Sequence, residues 1–343
     1  MMLSVKLFLA IKLFLSSLIS FLMTWYLIPI FSRIAIKLNI MDVPDGKIKK
    51  HKKPTPYLGG IALYIGFIAT LAIVFPFENK IFLLLIGSTL LLFLGLIDDI
   101  LQIKPYQKFF WQLIVAFCFL KSGIYLKESF FLNNIWNIPI SALWILIVTN
   151  AFNLVDVMDG LTSLLASAAC ITLFLIAIFF GQDNLSLLLT CFLGPLIAFF
   201  WYNRPPAKIY LGDAGSLFIG GFLGTVPFLF NWSTYNPYGF LTPIIILLIP
   251  LLEVSALILI RSYKGIPFYY GSPDHFSMYL QQRGWSKNQI LGYILCISTI
   301  LCGTSILVAL NSIDLITFTF LAIILLFSWG YSICKKNNSV KII

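Results

Sequence analysis

The sequence predicts an all-α, polytopic membrane protein with about eleven transmembrane helices and its polar loops gathered on the cytoplasmic side. Three observations carry that expectation. Of the 343 residues, 60% are hydrophobic and 10% charged, against about a quarter charged in a soluble domain. Apolar runs of membrane-spanning length, about 17 to 25 residues, recur along nearly the whole chain. The basic residues alternate from loop to loop, as they do in a chain that crosses a bilayer repeatedly.

The runs fall at 7–33, 57–76, 81–97, 107–122, 138–152, 161–181, 184–202, 213–232, 239–261, 288–309 and 313–333. The first has Lys6 and Lys12 at its start, like a secretory signal, but stays mainly apolar to about Ile36 and has no small-x-small cleavage site, so it reads as a retained helix. Residues 1–343 together read as one integral membrane domain. Cys118, Cys170, Cys191, Cys296, Cys302 and Cys334 lie in or beside apolar runs without metal-ligand or disulfide spacing, and read as small apolar fillers.

Eleven crossings put alternate loops on opposite sides. Eighteen of the 23 basic residues then fall on one side and five, Lys6, Lys12, Lys80, Lys121 and Lys127, on the other. This positive-inside bias places the N-terminus outside and the C-terminus in the cytoplasm of a multi-pass plasma-membrane protein. Glu78, Glu128, Asp183 and Asp314 belong to outside loops. Asp98, Asp99, Asp156, Asp159, Asp213 and Asp274 belong to four inside loops. Carboxylates and cations collected on one face suggest a metal ion and an anionic substrate.

Three stretches carry that chemistry. Gly95-Leu96-Ile97-Asp98-Asp99 ends the third run with two adjacent acids, a costly arrangement unless a cation or a shared proton offsets it; a polar helix end is the plainer reading. Asn150, Asn153, Asp156 and Asp159 repeat at a spacing of three after the fifth run, which on a helix or tight turn lines oxygen atoms along one face, the surroundings Mg²⁺ takes. Asn203-Arg204-Pro205-Pro206-Ala207-Lys208-Ile209-Tyr210-Leu211-Gly212-Asp213-Ala214-Gly215-Ser216 is a turn running into a helix start. Asp213 and Ser216 suit helix capping there, and exposed amides at such an end also suit a phosphate.

With these motifs in this order, the sequence resembles the polyprenyl-phosphate N-acetylhexosamine-1-phosphate transferases of glycosyltransferase family 4, which include the phospho-N-acetylmuramoyl-pentapeptide transferases. The family patterns are Asp-Asp, then Asn-x-x-Asn-x-x-Asp-Gly-x-Asp-Gly-Leu, then Asn-x-x-Pro-Ala and Gly-Asp-x-Gly-Ser. The likeness runs from Pro44 to Ser286 and takes in Pro44-Asp45, Lys50-His51, Pro54-Thr55-Pro56 and Gly59-Gly60 of the first inside loop. Lys47 to Lys53 also suit a polybasic strip facing anionic lipids. The chain departs from the pattern at Val157, where glycine is usual, and at Glu253-Val254, where Asp-Thr is common. In the last inside loop, Ser277 and Met278 replace two histidines of a His-x-His-His cluster and His275 remains.

The resemblance implies a single transferase domain in which a lipid phosphate oxygen attacks the β-phosphorus of a UDP-sugar, releasing UMP. Its partners are then polyprenyl phosphate, a UDP-sugar and the membrane, with no nucleic acid and with a homodimer left open. It implies Mg²⁺, or Mn²⁺ in its place, held by Asn153 and Asp213. Catalytic roles fall to Asp98 and Asp99 on the lipid phosphate, to Asp156 and Asp159 beside the nucleotide, and to His275. Substrate binding falls to Lys50, His51, Asn150, Asn203, Tyr210, Ser216 and Arg261, with Tyr210 stacking on uracil or serving as an interfacial anchor. A two-step route through an aspartyl intermediate stays open.

Three other protein classes share features with this sequence. Asp156-x-x-Asp159-Gly160 is also similar to the CDP-alcohol phosphatidyltransferases, but Leu161-Thr162-Ser163-Leu164 follows and no acid appears before Asp183. A transporter would hold its polar site near the midplane between repeats; here no repeat is visible and only Glu253 lies well inside an apolar run. A family member that binds lipid phosphate or nucleotide sugar without turnover fits the missing histidines.

Overall fold

The computed structural model describes residues 2–43, 54–76, 79–127, 135–267, 269 and 272–311. Within them the chain is almost wholly helical. α1 (Met2–Lys37) leads to β1 (Met41–Asp42), which pairs antiparallel with β2 (Thr55–Pro56), Met41 opposite Pro56 and Asp42 opposite Thr55. There follow α2 (Gly59–Val74), α3 (Asn79–Leu101), α4 (Pro105–Lys121), α5 (Asn137–Val155), α6 (Leu161–Phe179), α7 (Asp183–Asn203), α8 (Gly212–Thr225), α9 (Thr242–Ile246), α10 (Leu248–Tyr263), α11 (Phe276–Gln282) and α12 (Lys287–Ala309).

Ten of the eleven apolar runs fall on these helices; the run 313–333 lies outside the described residues. Among the described residues seven helices are long and apolar enough to cross a membrane, and a bent pair makes up to eight; α2 and α4, of 16 and 17 residues, are not among them. Two further runs are not single straight helices. The run 213–232 is α8 followed by a 3-10 turn, Val226–Leu229, because Pro227 has no amide to continue the helical ladder. The run 239–261 is broken between α9 and α10 with a bend of 68°. Pro250 removes the bond that would reach back to Ile246 and crowds its carbonyl.

α8 is the axis of the assembly. Every residue from Ala214 to Thr225 is buried, with Asp213 at its mouth the partly exposed one. A helix apolar all round suits burial within protein, and small residues let its neighbours come close. A Cβ added to Gly60 of α2 would lie 2.3 Å from the backbone of Gly215, and one added to Gly95 of α3 would lie 2.2 Å from the Asp213 carbonyl. Deeper down, Phe67, Phe192, Phe218 and Phe222 interlock, with ring centroids as close as 4.1 Å for Phe192 and Phe222. The outer helices turn apolar side chains outward, among them Phe8 and Phe14 of α1 and Phe109, Trp111 and Phe117 of α4, as a lipid-facing surface requires.

Candidate active site

Four helix ends meet where the acidic motifs lie. Asp98 and Asp99 close α3, Lys108 sits in the first turns of α4, Asn153 in the last turn of α5, and Asp213 at the start of α8. Asp99 spends both carboxylate oxygens on α8, accepting from the backbone amides of Asp213 (2.9 Å) and Ala214 (3.1 Å). It therefore caps α8 from another helix, satisfying donors that a helix start leaves open. Gly212, in the left-handed region at φ +74°, makes room: a Cβ there would meet Asp99 Oδ2 at 2.6 Å. Asp98 accepts from the Ile103 amide through Oδ1 (3.0 Å), which turns the chain from α3 toward α4.

Lys108 is the centre of the cluster. Its Nζ lies 2.8 Å from Asp98 Oδ2, 2.5 Å from Asp213 Oδ2 and 3.2 Å from Asn153 Oδ1. The Asn153 amide nitrogen donates to Asp213 Oδ1 (2.8 Å) and Ser216 Oγ (2.9 Å). Three side-chain oxygens from α3, α5 and α8 are thus aimed at one cation position. In the sequence Lys108 is one of the eighteen inside cations and belongs to no motif. The signal available was a lysine in the helix that directly follows two adjacent acids.

An all-oxygen set of two carboxylates and one amide suits a hard divalent cation such as Mg²⁺, which binds through one or two carboxylates and leaves positions for water and phosphate. Among the described residues no three His, Cys, Asp or Glu side chains form a fuller cage. Beside the cluster opens a cavity of about 560 Å³, lined by Asp98, Asp99, Gln102, Ile103, Asp213 and Tyr57 and by Leu38 to Met41 past the end of α1. Burial, and then the Asp42 carboxylate beside it, hold the Tyr57 phenol well above its ordinary range.

A second group joins the 156–160 turn to the 204–211 loop. Asn203 accepts from the Gly160 amide and donates to the Ile209 carbonyl, both at 2.8 Å. Asp159 is buried and accepts from the Ala207 amide (3.3 Å) and from Lys287 of α12 (2.8 Å). Asp156 follows the end of α5, where burial, reinforced by Asp213, Asp99 and Asp159, pushes its carboxyl up to about 7. Tyr210 extends the β2 end: its amide donates to the Pro56 carbonyl (2.8 Å), its carbonyl accepts from Gly59 (3.1 Å), and its ring lies 6.2 Å from that of Tyr57.

The third group lies beyond the bend. His275 is buried with Nδ1 3.0 Å from Oε1 of Glu253, a carboxylate on α10 that is 1% exposed and also accepts from the Phe276 amide. Glu253, a departure from the family pattern and an acid inside an apolar run, thus ties the last loop to the membrane helix. Arg261 is buried and donates through Nε to Ser272 Oγ (2.9 Å). Burial raises Asp274, but its bonds to Lys264 (2.5 Å), Ser272 and Tyr279 outweigh that and hold the carboxyl below its usual range.

The sequence-derived candidates therefore separate. Asp98, Asp99, Asn153, Asp213 and Ser216 are joined directly, as are Asp159 and Asn203. Ser216 is fully buried, accepting from Asn153 and donating to the Asp213 carbonyl (3.4 Å). Asn150 exchanges hydrogen bonds with Gln112 (2.8 and 3.3 Å), locking α5 to α4. Lys50 and His51 lie outside the described residues.

The family model described as "Glycosyl transferase family 4" matches residues 81–231, from α3 through α8, which hold the whole carboxylate cluster. A protein of Bacillus subtilis (strain 168) named "Probable undecaprenyl-phosphate N-acetylglucosaminyl 1-phosphate transferase" is 31% identical over 306 residues, covering 84% of this chain and 85% of that protein. The chain belongs to glycosyl transferase family 4. Proteins named "Phospho-N-acetylmuramoyl-pentapeptide-transferase" are also similar. The one from Clostridium novyi (strain NT) is 28% identical across 84% of this chain and 94% of its own length. That from Prochlorococcus marinus subsp. pastoris is 34% identical across 63% and 66%. In family terms the chain is a multi-pass membrane glycosyltransferase, and its motif residues sit on the helix ends described above.

Proposed function

We propose that this protein transfers an N-acetylhexosamine 1-phosphate from a UDP-sugar to a polyprenyl phosphate, releasing UMP, at the cytoplasmic face of a membrane whose other side holds its N-terminus. The observation that carries the reading is the convergence of Asp98, Asp213 and Asn153 oxygens on one cation position beside a cavity. The relatives' names supply the substrate class.

In the proposed reaction an oxygen of the lipid phosphate bonds to the β-phosphorus of the donor while the bond from that phosphorus to the α–β bridging oxygen breaks. The nucleophile needs little activation, since a phosphate monoester has lost most of its second proton at neutral pH, its second pKa being about 6. The protein's work is alignment and charge neutralisation. Asp213 and Asn153 would hold Mg²⁺, which supplies positive charge to the donor diphosphate. Lys108, whose ammonium shares those oxygens, would serve as a second cation beside the metal, and Asp99 keeps Asp213 in position through the α8 amides. Asp98 faces the cavity, where it would orient the lipid phosphate. Asp159 and Asn203 fix the loop that carries Tyr210, the candidate for stacking on uracil.

The test is UMP release from UDP-N-acetylhexosamine in membranes supplied with polyprenyl phosphate, with Mg²⁺ and with EDTA. Asp213→Ala and Asp99→Asn are expected to abolish it. Wild-type rates in either variant, or UDP-sugar binding with no lipid-linked product from the wild type, would overturn the proposal.

A further inference from the structure

A second cavity, of about 420 Å³, opens on the other side of the loop that carries Tyr210. Trp201 at the end of α7, Arg204, Pro205, Pro206 and Lys208 line it, and Asn288 in the first turn of α12 closes it. The Arg204 guanidinium lies 3.8 Å over the Trp201 ring. Neither Arg204 nor Lys208 pairs with a carboxylate among the described residues, whereas Lys287, next to Asn288, is taken up by Asp159. Two cations without counter-ions therefore face a cavity to which α12 also presents the positive end of its dipole.

Its position argues for a lipid occupant. Trp201 is half exposed and packs with Tyr202 against Trp25 of α1, centroids 6.0 and 4.9 Å from the Trp25 ring, an aromatic cluster of the kind that marks the headgroup level. A guanidinium stacked on an indole keeps its N–H edges free for two phosphate oxygens, and basic pockets between helices at the cytoplasmic side take anionic headgroups. We infer that this cavity binds the phosphodiester headgroup of an anionic phospholipid, with Arg204, Lys208 and Asn288 as its donors and Trp201 as its apolar wall. The site is separate from the carboxylate cluster and does not depend on the transfer reaction.

The experiment is retention of lipid by the purified protein, read by native mass spectrometry after nanodiscs of phosphatidylcholine mixed with an equal part of phosphatidylglycerol. Wild type is expected to retain phosphatidylglycerol preferentially. Arg204→Gln with Lys208→Gln is expected to lose that preference roughly thirtyfold, taking each cation at its usual contribution near a membrane surface. Lys208→Gln alone, an exposed position, is expected to lose roughly fivefold and guards against misfolding of the double variant. Equal retention by wild type and both variants overturns the inference. So does displacement of the lipid by excess inorganic phosphate, which would make this a free-anion site, or by polyprenyl phosphate, which would make it part of the acceptor path.

Discussion

Replacing Lys108 by methionine separates the roles of the residue at the centre of the cluster. The ammonium lies 2.8 Å from Asp98 and 2.5 Å from Asp213, with side-chain exposures of 15%, 13% and 34% for the three. Opposite unit charges at such distances attract by about 6 kcal/mol each at an effective dielectric constant of about 20. Most of that repays desolvation, and removing one partner of a buried pair costs about 3–5 kcal/mol. Because Asp213 is a third exposed, about 3 kcal/mol is expected, a fall of roughly 5 °C in the melting midpoint. The same ammonium occupies the position toward which the proposed metal ligands point. Its loss should therefore tighten Mg²⁺ binding at least about tenfold, or about 1.4 kcal/mol. Thermal unfolding in detergent across a Mg²⁺ titration reads both effects, with Lys108→Gln as a milder partner. A Mg²⁺ midpoint unchanged or weakened in both variants would refute a shared cation position. UMP release should fall about a hundredfold or more even at saturating Mg²⁺, since a fixed charge at the reacting phosphate is gone.

Other consequences can be checked in the same preparations. Asp156, pushed up to about 7 from an unfolded value near 4, takes up a proton on folding between those pH values. Its contribution is therefore full below about pH 4 and lost as pH rises through about 7. Asp156→Asn should flatten the decline of the melting midpoint across that window, by about 2 kcal/mol after allowance for partial exposure; an unchanged slope would count against burial as the cause. Glu253→Ala should release the last loop, seen as faster hydrogen exchange over 272–283, and Glu253→Gln, which can still accept from Phe276, should restore part of the protection; unaltered exchange in the alanine variant would disprove the tether. Gly60→Ala puts a methyl 2.3 Å from the Gly215 backbone, which cannot yield as a side chain would. A loss of more than about 3 kcal/mol, or no monodisperse protein on size exclusion, is expected; wild-type stability would mean that the α2–α8 contact is looser than described.

Helices were legible in the sequence because hydrocarbon demands long apolar runs whatever they pack against. What failed locally were the proline effects at Pro227 and Pro250, since length and apolarity register neither the missing amide nor the bend it allows. The site was legible as residue types: Asn153, Asp213 and the Asp98-Asp99 pair were identifiable from spacing and family likeness. Their division of labour was not. Asp98 and Asp99 look alike in the sequence, yet one faces Lys108 and the other caps α8, a difference set by which way each leaves the end of α3. Lys108 and Lys287 carried no motif, and their roles arise from helices that become neighbours only on folding. Glu253 was visible as an oddity because a carboxylate inside an apolar run must have a partner; that the partner is His275 depended on the segment after α10 folding back along that helix.

The capping of α8 by Asp99 has a mechanical meaning. Two hydrogen bonds and the glycine contact at Gly95 pin the end of α3 to the start of α8, so neither helix can slide or tilt alone without carrying Asp213 with it. A bilayer that thins or thickens around the protein strains its lipid-facing helices first. That strain falls first on α1, with its outward aromatic side chains, and on α4, which carries Lys108, while Asp98, Asp99 and Asp213 keep their mutual distances. The same protein should thus hold its carboxylate geometry across membranes of different lipid length, with Lys108 the part of the site that responds.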